Sequence, residues 1–343
     1  MRNFLDLADH GRDGVMDLLA LADRLREQPE PAALAGRVLG LLFFNPSLRT
    51  LASMRVAMAK LGGESVVITP GAGSWNLETR SGITMTGTAA EHIREAVPVL
   101  DSYCDALGVR AFAEGRDLAA DLGERTFTTI ASLCRNPLIN LESSANHPCQ
   151  ALADWKTLDE IGVPPRGRFV LSWANHPRAL PLAVPAAVSQ MAAMRGMDVV
   201  VLRPEGYALP PQVMQKARDA AARSGGSVSE TDDRDAALAG AHVVYAKEWG
   251  STAHYGDTEA DARTRAGLDD WMLTESWFAR ARPECHLMHC LPVRRNVAIA
   301  DELLDGPRSR VLQQAHNRLT VQMAVLYRLL VGAAARRVRG KEH

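Results

Sequence analysis

Two series of short apolar runs, separated by stretches with helical spacing, constrain the fold more than any other feature of this sequence. The first series comprises residues 37–44, 64–69, 104–112 and 136–141, and the second comprises 169–173, 198–204, 242–249 and 285–292. Between runs, as in 91–101, apolar residues recur every three to four positions, which is typical of amphipathic helices. This alternation is the pattern of βαβ units built around a parallel sheet.

The repetition of the pattern predicts an α/β protein with two domains, each with a central parallel sheet flanked by helices. The chain has 343 residues, of which 47% are hydrophobic, so it can build two cores. We expect a first domain over residues 1–145, a second over 146–316, and a final helix at 317–334. The Pro/Gly stretch 162–168 is interpreted as a connection between the two halves.

Composition argues against several classes of protein. The 39 Lys and Arg residues balance the 40 Asp and Glu residues, so no global field favours nucleic acid or an anionic membrane. No run approaches the ~18 apolar residues of a membrane span, and the first residues are charged where a signal peptide is apolar. We therefore expect a cytoplasmic protein. Five cysteines without a Cys-x-x-Cys pair predict reduced thiols and no metal site.

The stretch FFNPSLRT, residues 43–50, is the first candidate site. Ser47 follows an apolar run and is predicted to cap a helix. The backbone N–H groups of Leu48, Arg49 and Thr50 would then point outward at the positive end of the helix dipole. With the Arg49 guanidinium and two hydroxyls, this arrangement fits a phosphate. The octet alone fits an ordinary helix start equally well.

Two further stretches place polar side chains directly after predicted strands. NHPCQ, residues 146–150, opens a helix and can present His147 and Gln150 to one ligand, the imidazole to a developing oxyanion and the amide to an amino group. MHCLPVRRN, residues 288–296, ends a strand with a cysteine and a proline and continues with two arginines. Each stretch alone also fits a structural role. A Gly-x-Gly-x-x-Gly sequence follows neither half's first strand, which disfavours an NAD enzyme.

Together these stretches resemble the aspartate/ornithine carbamoyltransferase family. FFNPSLRT looks like the family's Ser-Thr-Arg-Thr phosphate loop, HPCQ is similar to its carbamoyl-contacting motif, and HCLP resembles the signature of the ornithine branch. The resemblance implies the carbamoyltransferase fold, with the active site between two α/β domains and a C-terminal helix that packs back on the first. It also implies carbamoyl phosphate as donor, a homotrimer with shared active sites, and arginine biosynthesis as the pathway.

The same resemblance assigns roles to individual residues. It implies that carbamoyl phosphate is bound by Ser47, Leu48, Arg49, Thr50, Trp75, Arg110, His147, Gln150, Cys290, Leu291 and Arg318. Among these, the expected catalytic residues are Arg110, His147, Gln150 and Cys290. No metal or organic cofactor is expected, and the expected partners are small-molecule substrates, with neither nucleic acid nor membrane.

The stretch YAKEWGS, residues 245–251, bears on the amine that is carbamoylated. Ornithine enzymes of the family hold the α-ammonium with an aspartate, whereas Lys247 stands near that place here. A cation repels an ammonium and attracts an acyl oxygen or carboxylate, so the α-nitrogen of the acceptor is expected to be acylated. This stretch resembles the Tyr-Ala-Lys-x-Trp of N-acetylornithine and N-succinylornithine enzymes. The residues expected to bind the N-acylornithine are Ala90, Glu142, His176, Arg178, Lys247 and Arg294.

The choice between acetyl and succinyl depends on position 90. The resemblance implies a glutamate there in acetylornithine enzymes and a proline in the succinylornithine enzyme, reaching in from a neighbouring subunit. Ala90 removes an anion and leaves space, which favours the longer, anionic succinyl group. Ala298, where acetylornithine enzymes carry a modified lysine, points the same way. N-succinylornithine is therefore the predicted acceptor, with N-acetylornithine as the alternative.

Four departures from the family pattern keep other functions open. Leu51 and Arg55 replace a family Arg and Glu that can pair on the helix, and Thr86 and Thr88 replace two aspartates. The alternatives are a carbamoyltransferase of another amine and a non-catalytic paralogue that binds carbamoyl phosphate. The Lys247 cation argues against a polyamine, and the retained arginines, histidine and cysteine argue against the paralogue.

Overall fold

The structure is a computed structural model that describes residues 1–339, with side chains described through residue 331. The packing expected of residues 332–334 in the final helix therefore lies outside the described residues. Within this part of the chain, no helix is both long enough and apolar enough to cross a lipid bilayer.

The strands and helices alternate along most of the chain. The strands are β1 (Val38–Phe43), β2 (Glu64–Ile68), β3 (Leu77–Glu78), β4 (Glu91–His92), β5 (Ala106–Arg110), β6 (Leu138–Glu142), β7 (Arg168–Trp173), β8 (Asp198–Leu202), β9 (Ser227–Thr231), β10 (Val243–Lys247) and β11 (His286–Met288). The helices are α1 (Gly11–Glu27), α2 (Leu48–Lys60), α3 (Ile93–Tyr103), α4 (Leu118–Leu122), α5 (Arg125–Leu133), α6 (Pro148–Glu160), α7 (Ala183–Arg195), α8 (Pro211–Ser224), α9 (Arg234–Leu238), α10 (Thr258–Arg265), α11 (Asp301–Leu304) and α12 (Val311–Arg339).

The chain forms two compact units. Unit 1 contains Met1–Ala113, Gly123–Cys149 and the chain from Arg318 onward, and unit 2 contains Glu114–Leu122 and Gln150–Asn317. The Pro/Gly stretch 162–168, interpreted above as a connection between the halves, lies inside unit 2 because it joins α6 to β7. The assignment of one substrate to each predicted domain stays a prediction.

Unit 1 is built on a parallel sheet with the strand order β2-β1-β5-β6. Its core joins Leu42, Leu107 and Val109 of the sheet to Val97 of α3 and Ile130 of α5. These side chains are all buried, so the two central strands β1 and β5 are covered as a parallel sheet requires. All four apolar runs predicted as strands in this half form strands.

Unit 2 is built on a second parallel sheet, ordered β11-β10-β7-β8-β9. The predicted α/β class with two parallel sheets is confirmed. Strand β9 was not predicted. Its sequence SVSET contains a single apolar residue, and the strand lies at the sheet edge and is only partly buried. Helix α7 is buried along its whole length, and α12 starts six residues before the predicted helix start at residue 317.

The junction between α8 and β9 provides a test of the packing in unit 2. A Cβ atom on Gly226 would lie 2.6 Å from the Met197 carbonyl oxygen and 2.9 Å from the Gly196 carbonyl carbon. Both atoms belong to the backbone, so Gly226→Ala should lower the free energy of unfolding by about 1–3 kcal/mol in urea. Gly267→Ala is the control, since its Cβ would meet no atom nearer than 3.8 Å. Equal stability of the two variants would contradict the close packing.

Candidate active site

The start of α2 carries the predicted phosphate loop in unit 1. Ser47 has an extended backbone, and its Oγ accepts the Thr50 N–H at 3.2 Å, which confirms it as the N-cap. The Thr50 hydroxyl oxygen in turn accepts a hydrogen bond from Arg318 Nη2 at 3.0 Å. Arg318, separated from Thr50 by most of the chain, is therefore fixed beside the helix start. Leu48 and Arg49 complete the first turn.

A shift in strand register brings Arg110 opposite Glu142. In the pairing of β5 with β6, Val109 is opposite Asn140, whereas Arg110 is opposite Glu142. Leu141 is the extra residue of this irregularity, and such a bulge re-aims the side chains around it. The result is a buried ion pair in which Arg110 Nη1 donates to Glu142 Oε2. The guanidinium of Arg110 also lies over the Phe112 ring, 4.3 Å from its centroid.

His147 joins this cluster from the loop between β6 and α6. Its Nε2 atom lies 3.4 Å from Glu142 Oε2, and its Nδ1 atom is buried with no hydrogen-bond partner among the described residues. Burial holds the pKa of His147 well below its usual value, and the positive charges of Arg318, Arg110 and Arg49 lower it further. The imidazole is therefore neutral and lies within the field of three guanidinium groups, which favours an anionic ligand here.

Glu142 lies where two other predicted site residues meet. Its expected role in binding the acylornithine stays a prediction, and its Oε2 atom contacts both Arg110 and His147. Both of these residues are among those expected to bind carbamoyl phosphate. An anionic oxygen is therefore already held at the point where the two side chains meet, and a ligand oxygen must compete with Glu142 for the same groups.

Gln150 is oriented by a buried carboxylate that sequence reasoning missed. Its Nε2 donates to Asp154 Oδ1 at 2.7 Å, and Asp154 also accepts from Gln314 Nε2 at 2.7 Å and from the Tyr245 hydroxyl at 3.1 Å. An ionised carboxylate is only an acceptor, so it fixes which end of the Gln150 amide faces it. This contact could have been predicted from the sequence, because Asp154 follows Gln150 by four residues and such residues lie on the same face of a helix.

The HCLP turn after β11 is held by its histidine. His289 is fully buried, its Nδ1 accepts the Leu291 N–H at 2.9 Å, and its Nε2 lies 3.2 Å from Glu248 Oε2. Because Nδ1 is an acceptor, Nε2 is the ring nitrogen that can donate, and it faces the carboxylate. Cys290 and Leu291, the predicted site residues of this turn, are both half-buried.

Lys247, at the end of β10, is paired with its neighbour in the sequence. Its Nζ donates to Glu248 Oε2 at 3.0 Å and to the Glu248 carbonyl at 2.9 Å. Burial raises the pKa of Glu248, but the Lys247 charge and the hydrogen bonds from His289 and Lys247 outweigh burial and leave this pKa below its usual range. The charge of Lys247, from which the acylated acceptor was predicted, is therefore balanced by the adjacent glutamate.

His176 links the two predicted arginines of unit 2. Arg294 Nε donates to His176 Nε2 at 3.1 Å, and His176 Nδ1 lies 2.9 Å from the Arg178 carbonyl oxygen and 3.1 Å from the Arg178 backbone nitrogen. Burial keeps the pKa of His176 below its usual value, which agrees with a neutral ring. The structure thus joins Arg294 to the backbone of Arg178, and both arginine residues are exposed to solvent.

Trp75 and Ala90 belong to one exposed segment of unit 1, which lies between β2 and α3. Trp75 Nε1 donates to Glu91 Oε2 at 2.9 Å, and the Ala90 N–H donates to the Asn76 carbonyl at 3.2 Å. Strands β3 and β4 pair at its base. The structure therefore brings these two predicted residues into the same segment.

Among the described residues, no group of three or more His, Cys, Asp or Glu side chains is arranged to hold a metal ion.

Comparison with known proteins gives a match over nearly the whole chain. The family model for the aspartate/ornithine carbamoyltransferase carbamoyl-P binding domain matches residues 2–160, and that for the Asp/Orn binding domain matches 184–329. An N-acetylornithine carbamoyltransferase from Xanthomonas campestris is 37% identical over 96% of this chain and 98% of its own. An N-succinylornithine carbamoyltransferase from Bacteroides thetaiotaomicron is 35% identical over 86% of this chain and 88% of its own.

Solved structures give the same result. An acetylornithine transcarbamylase complexed with acetylcitrulline has a TM-score of 0.92 and 36% identity, covering 96% of this chain and 99% of that chain. A variant of N-acetyl-L-ornithine transcarbamylase with one glutamate replaced by alanine, complexed with carbamyl phosphate and N-succinyl-L-norvaline, also has a TM-score of 0.92, with 37% identity over 96% of this chain and 100% of that chain.

The buried imidazole of His147 predicts a pH dependence of stability. Its pKa is lowered on folding, so the unfolded chain binds the proton more tightly and stability is lost as the pH falls below about 6.5. Between pH 7.5 and 5.5, the wild type should lose roughly 1 kcal/mol more unfolding free energy than His147→Asn. The other histidines are common to both proteins and cancel. Equal losses in urea titrations at both pH values would contradict a neutral His147.

Proposed function

Because the chain belongs to the aspartate/ornithine carbamoyltransferase family, we propose that it transfers the carbamoyl group of carbamoyl phosphate to the δ-amine of an N-α-acylated ornithine. The products are an N-acylcitrulline and phosphate. The observation that carries this proposal is the cluster of unit 1, in which the positive charges of Arg318, Arg110 and Arg49 act on the neutral, buried His147. A doubly charged phosphate next to a polarisable carbonyl fits this cluster.

The phosphate of the donor binds at the start of α2. Backbone N–H groups of Leu48, Arg49 and Thr50 supply donors at the positive end of the helix. The Arg49 guanidinium supplies a charged donor, and Arg318 is held in place by Thr50. Trp75 is proposed to contribute from a neighbouring subunit.

The carbonyl oxygen of the donor binds to Arg110 and His147. These two side chains already meet at one oxygen of Glu142, and the carbamoyl oxygen takes the place of that carboxylate oxygen. A neutral imidazole carries one N–H, so it donates a single hydrogen bond to the oxyanion. Donors fixed before the reaction stabilise the developing charge without reorganisation.

The carbamoyl NH2 group binds to the Gln150 amide. Asp154 accepts from the nitrogen of that amide, so the amide oxygen is turned away from Asp154 and accepts from the NH2 of the substrate. This orientation holds the carbamoyl plane fixed for attack.

The δ-amine attacks the carbamoyl carbon as the free base. An alkylammonium has a pKa of about 10, so it loses a proton before attack. We assign the amine hydrogens to Cys290 and to the carbonyls of Cys290 and Leu291. The proton lost before attack goes to solvent. The new C–N bond forms, the C–O bond to phosphate breaks, and the departing phosphate takes the second proton from the attacking nitrogen. These steps use side chains and backbone groups, without a metal or organic cofactor.

N-succinylornithine is the proposed acceptor, and N-acetylornithine is the alternative. Ala90 supports succinyl because a small neutral residue leaves room for a longer anionic group. Arg178 and Arg294 support succinyl as well. They are cations that do not belong to the Lys247–Glu248 pair, and N-succinylornithine carries two carboxylates for which cations are suitable partners. The relatives include enzymes named for each acceptor.

We further propose that the protein is a cytoplasmic homotrimer with shared active sites, acting in arginine biosynthesis. Residues 1–145 would bind carbamoyl phosphate and residues 146–316 the N-acylornithine, with no nucleic acid or membrane as partner. The exposed apolar side chains of Val56 and Val66, on α2 and on the edge strand β2, support an interface on unit 1. Light scattering coupled to size-exclusion chromatography measures the number of subunits.

The function is tested by product formation from carbamoyl phosphate with N-succinylornithine, N-acetylornithine and free ornithine in parallel. We expect turnover of the acylated compounds, with the succinyl compound best. Arg110→Ala should reduce kcat by roughly 10²–10³-fold because it removes an oxyanion donor, whereas the exposed Arg94→Ala should not. Best turnover of free ornithine would refute the acylated acceptor, and an Arg110→Ala enzyme as active as wild type would refute the mechanism.

Glu142→Gln separates the two roles of this residue. A neutral amide competes less for Arg110 and His147, so the affinity for carbamoyl phosphate, measured by calorimetry, should rise severalfold. The KM for the acylornithine should rise too, because the expected contact to that substrate loses its charge. Asp105→Asn is the control, since Asp105 pairs with Arg37 at 2.6 Å near the amino ends of strands in the same sheet. Weaker donor binding by Glu142→Gln would overturn the competition.

A further inference from the structure

The residue next to Lys247 bears on the choice of acyl group. Glu248 is 1% exposed, and its Oε2 atom accepts from Lys247 Nζ at 3.0 Å. Building on the function proposed above, we propose that Glu248 determines acyl-group specificity by neutralising the charge of Lys247. Acceptors with an anionic acyl group and acceptors with a neutral one are then distinguished by the balance of these two charges.

Burial strengthens the interaction between Lys247 and Glu248. Both side chains are almost fully removed from water, and the interaction between charges is stronger there than at the surface. The Glu248 carboxylate therefore cancels much of the attraction that Lys247 exerts on a substrate carboxylate. In addition, Glu248 Oε1 is buried without a hydrogen-bond partner among the described residues, so donors of the protein only partly compensate the negative charge.

Glu248 also has a positioning role through His289. The same Oε2 atom that accepts from Lys247 lies 3.2 Å from His289 Nε2, and His289 Nδ1 accepts the Leu291 N–H. Lys247 is held by a second oxygen, the carbonyl of Glu248, at 2.9 Å. One carboxylate thus connects the lysine expected to contact the acyl group with the HCLP turn expected to contact the amine.

The two roles give different kinetic results. Loss of positioning lowers kcat for every acceptor alike, whereas loss of the charge changes the ratio of kcat/KM between N-succinylornithine and N-acetylornithine. Only the second result is specific to the proposal. A purely structural residue would leave the ratio unchanged.

The experiment measures this ratio in the wild type and three variants. Glu248→Gln removes the negative charge beside Lys247 and should raise the succinyl-to-acetyl ratio by roughly tenfold. Lys247→Met removes the positive charge beside Glu248 and should lower the ratio. The double variant Lys247→Met with Glu248→Gln is neutral, like the original pair, and should return the ratio to within about threefold of wild type.

Glu160→Gln is the matched control. Glu160 pairs with the buried Lys156 at 3.1 Å, so the variant also breaks a Lys–Glu pair, but neither residue is assigned to a substrate. Its ratio should equal that of the wild type. A changed ratio in this control, or an unchanged ratio in Glu248→Gln, would overturn the proposal.

Two outcomes separate the proposal from its premise. If the wild type carbamoylates neither acyl compound, the proposed function fails before the role of Glu248 is tested. If the wild type is active and the four ratios do not follow the charge order, only the role of Glu248 fails. Should Glu248→Gln not fold, the comparison of Lys247→Met with the double variant decides: a higher ratio in the double variant supports the proposal and an equal ratio refutes it.

Discussion

The register shift between β5 and β6 is the constraint on which the candidate site of unit 1 depends. A regular parallel pairing would continue from Val109 and Asn140 to Arg110 and Leu141, but the irregularity places Arg110 opposite Glu142 instead. The ion pair at the carboxyl end of the sheet exists because of this one extra residue. Ligand groups gather at that end in open α/β sheets, so a local change in pairing decides which charges meet there.

Buried carboxylates orient the predicted site residues in both units. Glu142 contacts Arg110 and His147, Asp154 fixes the amide of Gln150, and Glu248 holds Lys247. A carboxylate accepts hydrogen bonds and cannot donate them, so each one imposes a definite orientation or tautomer on its partner. Removing such an anion while leaving its partner buried would cost more than the hydrogen bond alone, because an unpaired group would remain.

Much of the fold could be read from the sequence, since buried parallel strands are continuous apolar runs and helix starts carry capping residues such as Ser47. Strand β9 was missed because an edge strand needs no apolar run. The motifs predicted the family, which the family models confirm. The pairing of Lys247 with Glu248 and the orientation of Gln150 could not be predicted, because they depend on rotamers and on contacts such as that of Asp154 with Gln314, far apart in the chain.

The exposure of Trp75 has a spectroscopic consequence. Its side chain lies 60% in solvent, whereas the other five tryptophans, all in the described part of the chain, are at most 6% exposed. Water-soluble quenchers such as acrylamide or iodide therefore reach its indole first, and the quenchable fraction of the intrinsic fluorescence belongs to this one ring. Its emission reports on the segment between β2 and α3 without any added label. A loss of quenching shows that this surface has become covered.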